Sequence, residues 1–194
     1  MNPNKALWEK GDFTRIAESM RASGEALVDR IGISKGLKVL DLGSGDGTTA
    51  LPAARLGADV LGVDIASNLV AAGNRRAKEA GLTNLRFEEG DACELTGLGD
   101  ASFDLVVTIF GAMFAPRPFD VAKEMVRVTK PGGRIVMGKG PTMNDYAAAE
   151  ASGHALRRAL GAEPGAVRVG KRLRRIVPYR SHVSPAKLRV GVHG

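Results

Sequence analysis

Val39-Leu40-Asp41-Leu42-Gly43-Ser44-Gly45-Asp46-Gly47 reads as a short buried strand running into a glycine-rich turn, with a helix behind it. Glycines in such a turn let the backbone approach a ligand with no Cβ in the way. A helix start offers unpaired N–H groups to a carboxylate or a phosphate. The informative residue is Asp41, an acid near the strand's end and ahead of the glycines. A loop that only cradled phosphate has no use for a carboxylate there, whereas a loop holding a cationic amino-acid ligand does.

Outward from this stretch the chain alternates. Ile16, Met20, Leu27 and Ile31 recur at helical spacing, which predicts an amphipathic helix from about Thr14 to Ile31, with Gly24 the residue least suited to it. Lys38 to Leu42 is the first strand. Thr48 to Leu56 follows as a helix, with Pro52 confined to its first turn or kinking it. Asp59 to Asp64 is a second strand, and Ser67 to Ala80 a helix with Ser67 as N-cap and Gly81 as stop. Leu85 to Glu89 is a short third strand. Phe103 to Ile109 is continuously apolar, as in a strand buried on both faces. Phe119 to Thr129 reads as a helix stopped by Lys130-Pro131-Gly132-Gly133, and Arg134 to Met137 as a fifth strand. Five alternations of strand and helix predict an α/β protein with a doubly wound, mostly parallel sheet. Ligands of such sheets bind beyond the carboxyl ends of the strands. Asp41, Asp64 and Asp91 fall at or just past three of those ends, so the fold would gather them at one crevice.

Composition bounds the rest. At 194 residues one domain is the default, and no apolar run is long enough to span a bilayer, so no membrane partner is expected. Met1 to Lys10 lacks the apolar stretch of a secretory signal, and the single Cys93 excludes an internal disulfide, so the expected compartment is the cytoplasm. The net charge of +7 is unevenly spread: residues 1–138 carry 17 Lys+Arg against 18 Asp+Glu, and residues 139–194 carry 11 against 3. A basic tail can bind nucleic acid, but here the basic residues have no aromatic interleaving beyond Tyr179, so nucleic acid is not the expected partner. The domain reading is therefore 1–138 as a ligand-binding domain and 139–194 as a basic, atypical segment. Within that segment only Ala147 to Leu160 has a helical pattern. Oligomeric state is open.

The crevice suits a particular ligand chemistry. An acid ending the second strand, here Asp64, can accept bonds from both ribose hydroxyls. Asp91 can take an exocyclic amino proton, and the Ala92 N–H can bond a ring nitrogen. Asp41 and nearby carbonyls suit an ammonium, and the glycine turn a carboxylate. S-adenosyl-L-methionine meets all of these requirements. Taken singly, Asp64 could be an ordinary acid at a helix start and Asp91 a turn residue; their order and placement argue otherwise.

These motifs, with Gly62-Val63-Asp64-Ile65, Glu89-Gly90-Asp91-Ala92, Phe103 to Gly111 and Lys130-Pro131-Gly132-Gly133-Arg134, resemble the class I S-adenosylmethionine-dependent methyltransferases of bacterial small-molecule type, over about residues 8 to 138. The resemblance implies that Gly43, Ser44, Gly45 and Asp46 line the methionine moiety. It implies that Asp64 binds ribose with Ile65 on the adenine, that Asp91 and Ala92 read the adenine edge, and that Ile109 lies under the sulfonium. It implies an N-terminal flap and a small-molecule acceptor. Trp8, Phe13, Phe110, Met113 and Phe114 are the candidate walls of the acceptor pocket, or else plain core residues. Residues 1–138 contain no His and no Tyr, so no general base is assigned, and nothing suggests a metal ligand. Cys93 reads as packing.

Two departures stand out. The family sheet ordinarily ends with two further strands, one antiparallel, and residues 139–194 offer no convincing match. Charge, arginine content and periodicity change abruptly near Met137 to Pro141, as a shifted frame or a truncation would produce. The fifth strand would then be a bare edge. The competing functions are an NAD(P)-dependent oxidoreductase, and an inactive cofactor binder with a basic tail. Against the oxidoreductase, Thr48 stands where Gly-x-Gly-x-x-Gly requires its last glycine or an alanine.

Overall fold

The computed structural model describes residues 2, 4–109, 111–139 and 175–180. The chain divides into two compact units, Met1–Ala92 and Cys93–Gly194.

The first unit contains α1 (Lys5–Glu9), α2 (Phe13–Ile31), β1 (Lys38–Leu42), α3 (Ala50–Arg55), β2 (Asp59–Asp64), α4 (Ser67–Glu79) and β3 (Leu85–Glu89). The three strands are parallel in the order β3-β2-β1, with Asp41 opposite Gly62 and Asp64 opposite Glu89. Val39, Leu40 and Leu42 are fully buried, the pattern of a strand covered on both faces. One ring organises the packing behind the strands' carboxyl ends. Phe87, 4% exposed, occupies space that side chains at three glycines would need. A Cβ on Gly47, Gly62 or Gly73 would lie 2.7, 2.4 or 2.8 Å from it. Turn, β2 and α4 thus close on the same aromatic side chain.

The buried face of α2 is Ala17, Gly24, Leu27, Val28 and Ile31, while Ile16, expected on that face, is 54% exposed. Gly24 has a packing reason: a Cβ there would stand 2.3 Å from the Thr48 carbonyl oxygen. Pro52 lies in the first turn of α3, where a proline is tolerated. Ser67 is not the N-cap of α4 that the sequence suggested. Ala66 takes the cap position, and Ser67 donates its N–H (3.1 Å) and hydroxyl (2.7 Å) to Glu9 of α1.

The second unit contains β4 (Phe103–Ile109), a short 3-10 turn (Ala112–Phe114), α5 (Pro118–Val128), β5 (Thr129–Lys139) and β6 (Arg175–Arg180). Strand β5 is longer than the expected Arg134 to Met137 and runs through Lys130-Pro131-Gly132-Gly133. These residues bulge from the ladder: a two-residue step from Phe103 to Leu105 is matched by a five-residue step from Thr129 to Arg134. Strand β6 corrects the expectation of a bare β5 edge, because it pairs in parallel with β5 from Arg134↔Arg175 to Lys139↔Arg180. Pro178 within it donates no N–H to a ladder, which suits a strand at a sheet's rim. The helix expected over Ala147 to Leu160 lies outside the described residues.

Candidate functional site

The carboxyl ends of β1, β2 and β3 form one lip. Gly43 N–H donates to Val63 O (2.8 Å) and Gly90 N–H to Asp64 O (2.9 Å), so the chain leaves the three strands at nearly one level. Asp41, Asp64 and Asp91 stand at this lip, as the sequence predicts.

Asp41 is 2% exposed and its Oδ2 has no hydrogen-bond partner. Burial, reinforced by the charge of Asp64 and opposed by the Ala50 N–H, pushes its carboxyl up to about 7. Asp64 is 9% exposed and is the hub of the turn. Its Oδ2 accepts the Gly45 N–H at 2.8 Å and its Oδ1 the Ala66 N–H at 2.9 Å. Burial raises the pKa of Asp64 as well, against the N–H groups of Ala66, Gly45 and Ile65 that favour its ionised form. Ser44 is buried and its hydroxyl oxygen lacks a partner. Ile65 is half-buried beside Asp64, as are Gly43 and Gly45 in the turn.

Four of the turn's amides are spent internally. Gly43 and Ser44 donate to Val63 O, Gly45 to Asp64, and Gly47 to Ser44 O at 3.0 Å. The positive φ of Gly43 (70°), Gly45 (54°) and Gly47 (96°) permits this inward aim. Asp46, 1% exposed, is gripped from two helices. Arg76 of α4 reaches its Oδ2 at 3.0 Å and its carbonyl oxygen at 2.6 Å, and Arg21 of α2 approaches Oδ2 at 3.4 Å. Neither arginine was singled out from sequence. Their partner lies 25 and 30 residues away, and the one local sign was Arg21 one helical turn before a glycine.

Asp91 receives the Asn2 side-chain amide, whose Nδ2 lies 3.3 Å from both carboxylate oxygens. Ala92 beside it is half-buried. Helix α1 also places Lys5 on Glu89 and Glu9 on Ser67, so three polar contacts draw the N-terminal segment across the β3 end of the lip. Trp8 and Phe13 pack on each other with ring centroids 5.0 Å apart. In the second unit, Ile109 ends β4 and is 8% exposed. Met113 and Phe114 lie in the 3-10 turn, Phe114 half-buried. Phe110 lies outside the described residues. Cys93 is buried, its Sγ 3.8 Å from the Arg117 carbonyl, in keeping with a packing role. Among the described residues no helix is long and apolar enough to cross a membrane, and no group of three or more His, Cys, Asp or Glu could hold a metal ion.

A parallel sheet with acids at successive strand ends around a glycine turn defines a nucleoside-binding α/β protein. The methyltransferase domain family matches residues 40–137, and the chain belongs to that family. A demethylmenaquinone methyltransferase of Renibacterium salmoninarum is 37% identical over 133 residues, covering 67% of this chain and 54% of that protein. An uncharacterized protein of Mycobacterium tuberculosis (strain ATCC 25618 / H37Rv) is 41% identical over 133 residues, covering 68% of this chain and 48% of that protein. The chain thus spans about half the length of these curated relatives. The crystal structure of a SAM-dependent methyltransferase from Aquifex aeolicus shares the fold, with a TM-score of 0.65, 20% identity, and coverage of 77% of this chain and 88% of that one.

The cofactor of this family is S-adenosylmethionine, and the lip fits it. The unpartnered Asp41 Oδ2 and Ser44 Oγ are buried acceptors awaiting a donor, as an ammonium provides. Asp64, whose oxygens accept the N–H groups of Gly45, Ala66 and Ile65, keeps acceptor capacity for a ribose hydroxyl.

Proposed function

We propose that the chain binds S-adenosylmethionine at the lip of β1, β2 and β3 and transfers its methyl group to a small organic molecule. The observation that carries this reading is the coupled pair of buried acids, Asp41 with an orphaned oxygen and Asp64 locked to the glycine turn. In this reading Asp41 and Ser44 hold the ammonium, Gly43, Gly45 and Asp46 frame the amino-acid arm, and Asp64 takes the ribose. Ile65 packs on the adenine, whose edge Asp91 and Ala92 read, and Ile109 backs the sulfonium end. Asp91 already receives a side-chain NH2, from Asn2, the donor chemistry that an adenine amino group offers. Residues 1–138 form the catalytic domain and 139–194 its basic extension.

The cofactor supplies a methyl group activated by a sulfonium. The protein's part is to fix that methyl in line with the acceptor atom and keep water away. Trp8, Phe13, Phe110, Met113 and Phe114 are the proposed acceptor walls. A small organic acceptor is supported by the name of the Renibacterium salmoninarum relative, a demethylmenaquinone methyltransferase.

Calorimetry tests the cofactor: S-adenosylhomocysteine is expected to saturate the protein and NAD is not. Transfer of label from methyl-labelled S-adenosylmethionine to a panel of phenols, quinols and amines tests the reaction. Saturation by NAD alone overturns the reading; binding of S-adenosylhomocysteine without transfer to any acceptor leaves a cofactor binder only.

A further inference from the structure

We propose that Asn2 is a tethered competitor of the adenine base: its side-chain amide occupies Asp91 and must leave before an adenosyl ligand can seat. This rests on the function proposed above, in which Asp91 reads the adenine edge. The amide is held in its orientation by the chain around it. Asn2 Oδ1 accepts the Asn4 N–H at 3.0 Å, and the Asn2 carbonyl oxygen accepts the Lys5 N–H at 3.3 Å. With its oxygen fixed on the start of α1, the side chain has its NH2 left to give. Nδ2 lies 3.3 Å from each carboxylate oxygen of Asp91. An adenine amino group is the same kind of donor, a planar NH2, so the two groups claim one acceptor.

The strap that carries Asn2 is made to open. Helix α1 buries none of its five residues. At its α2 end, Trp8 rests on Phe13, and Glu9 accepts the N–H (3.1 Å) and the hydroxyl (2.7 Å) of Ser67. At its other end, Lys5 pairs with Glu89 and Asn2 with Asp91. The first pair of contacts can persist as a pivot while the second lets go. The second pair is the weaker. The Lys5 and Glu89 side chains are 34% and 46% exposed, so their ion pair is traded for water at little cost. The 3.3 Å separation of Asn2 from Asp91 is long beside the ~2.9 Å usual for N–H···O bonds. A segment with no buried residue lies at the low end of a protein's range of opening free energies. A strap closed most of the time would lower the apparent affinity for an adenosyl ligand by the fraction of molecules it leaves open.

The competing account is a clamp, in which the N-terminal segment closes over the bound nucleoside and strengthens its hold. The two accounts differ in sign. S-adenosylhomocysteine is titrated by calorimetry into the full chain, Asn2→Ala and Asn2→Asp. The aspartate variant keeps an oxygen for the Asn4 N–H but sets a carboxylate against Asp91, so it preserves the turn and removes the competitor. Both variants are expected to bind about 3- to 10-fold more tightly than the full chain, the net worth of one hydrogen bond. Hydrogen–deuterium exchange gives a second readout on the full chain alone: saturation with S-adenosylhomocysteine is expected to speed exchange across Lys5–Glu9. Unchanged or weaker binding by either variant overturns the proposal and spares the cofactor assignment. Slower or unchanged exchange across Lys5–Glu9 does the same, and decides the matter if a variant fails to fold. A full chain and variants that all fail to bind S-adenosylhomocysteine overturn the cofactor assignment, and the proposal with it.

Discussion

Replacing Asp41 by Asn exposes the cost of burying that carboxyl. Its pKa of about 7 in the folded protein stands far above the ordinary aspartate value of 3.8. Between those two pH values the folded state holds a proton that the unfolded state has released. Stability therefore falls as pH rises through this window, by about 1.4 kcal/mol per pH unit, and levels off above the folded pKa. Most of the fall between pH 5 and pH 8 lies below pH 7, which makes the penalty roughly 2.5–3 kcal/mol larger at pH 8 than at pH 5. Asn at this position keeps an oxygen for the Ala50 N–H and puts its NH2 where Oδ2 already lacks a partner, so the neutral side chain removes the pH-dependent part. Urea unfolding of both proteins at pH 5 and pH 8 reads the difference. The variant should gain on the parent protein by roughly that amount from the lower to the higher pH, whatever its absolute stability. A difference that stays constant with pH would mean that Asp41 is not a desolvated acid in the folded protein. Because a bound ammonium favours the ionised form, affinity for S-adenosylhomocysteine should also weaken below pH 7 in the parent and not in the variant.

Asp64→Ala strips the acceptor from the Gly45 and Ala66 N–H groups, and should lower S-adenosylhomocysteine affinity at least about 100-fold while circular dichroism still reports a folded chain; unchanged affinity refutes the map of the lip. Gly24→Ala gains about 1 kcal/mol in helix propensity but places a Cβ 2.3 Å from Thr48 O, so thermal melting should show a net loss of about 1–2 kcal/mol, and a raised Tm contradicts the close approach of α2. Phe87→Ala empties the space shared by Gly47, Gly62 and Gly73 and should destabilise by about 3–5 kcal/mol in urea, a loss below about 1 kcal/mol being incompatible with that packing.

Much of this architecture can be read from the chain because its signals are local. The strands Lys38–Leu42, Asp59–Asp64, Leu85–Glu89 and Phe103–Ile109 begin and end where expected, since their apolar residues run together or, in Leu85–Glu89, alternate over near neighbours. What escaped reading depends on partners far away in sequence. Helix α1 has five residues, none buried, and is held by Glu89 and Ser67. Strand β6 contains Pro178, a poor strand residue, and exists through its register with β5. Lys130-Pro131-Gly132-Gly133 looks like a terminator in sequence, yet β5 pairs with β4 on both sides of it. The same divide runs through the site. Asp41, Asp64 and Asp91 announce themselves at strand ends, while Arg21 and Arg76 gain meaning only when α2 and α4 converge on Asp46.

A turn that satisfies most of its own amides has a thermodynamic consequence. From Gly43 to Gly47 the backbone is braced by Val63, Asp64 and Ser44. A ligand arriving there orders very little chain, so the conformational entropy lost on association should be small. The heat-capacity change on binding should then match the apolar area of the ligand itself, with no added increment from a folding loop.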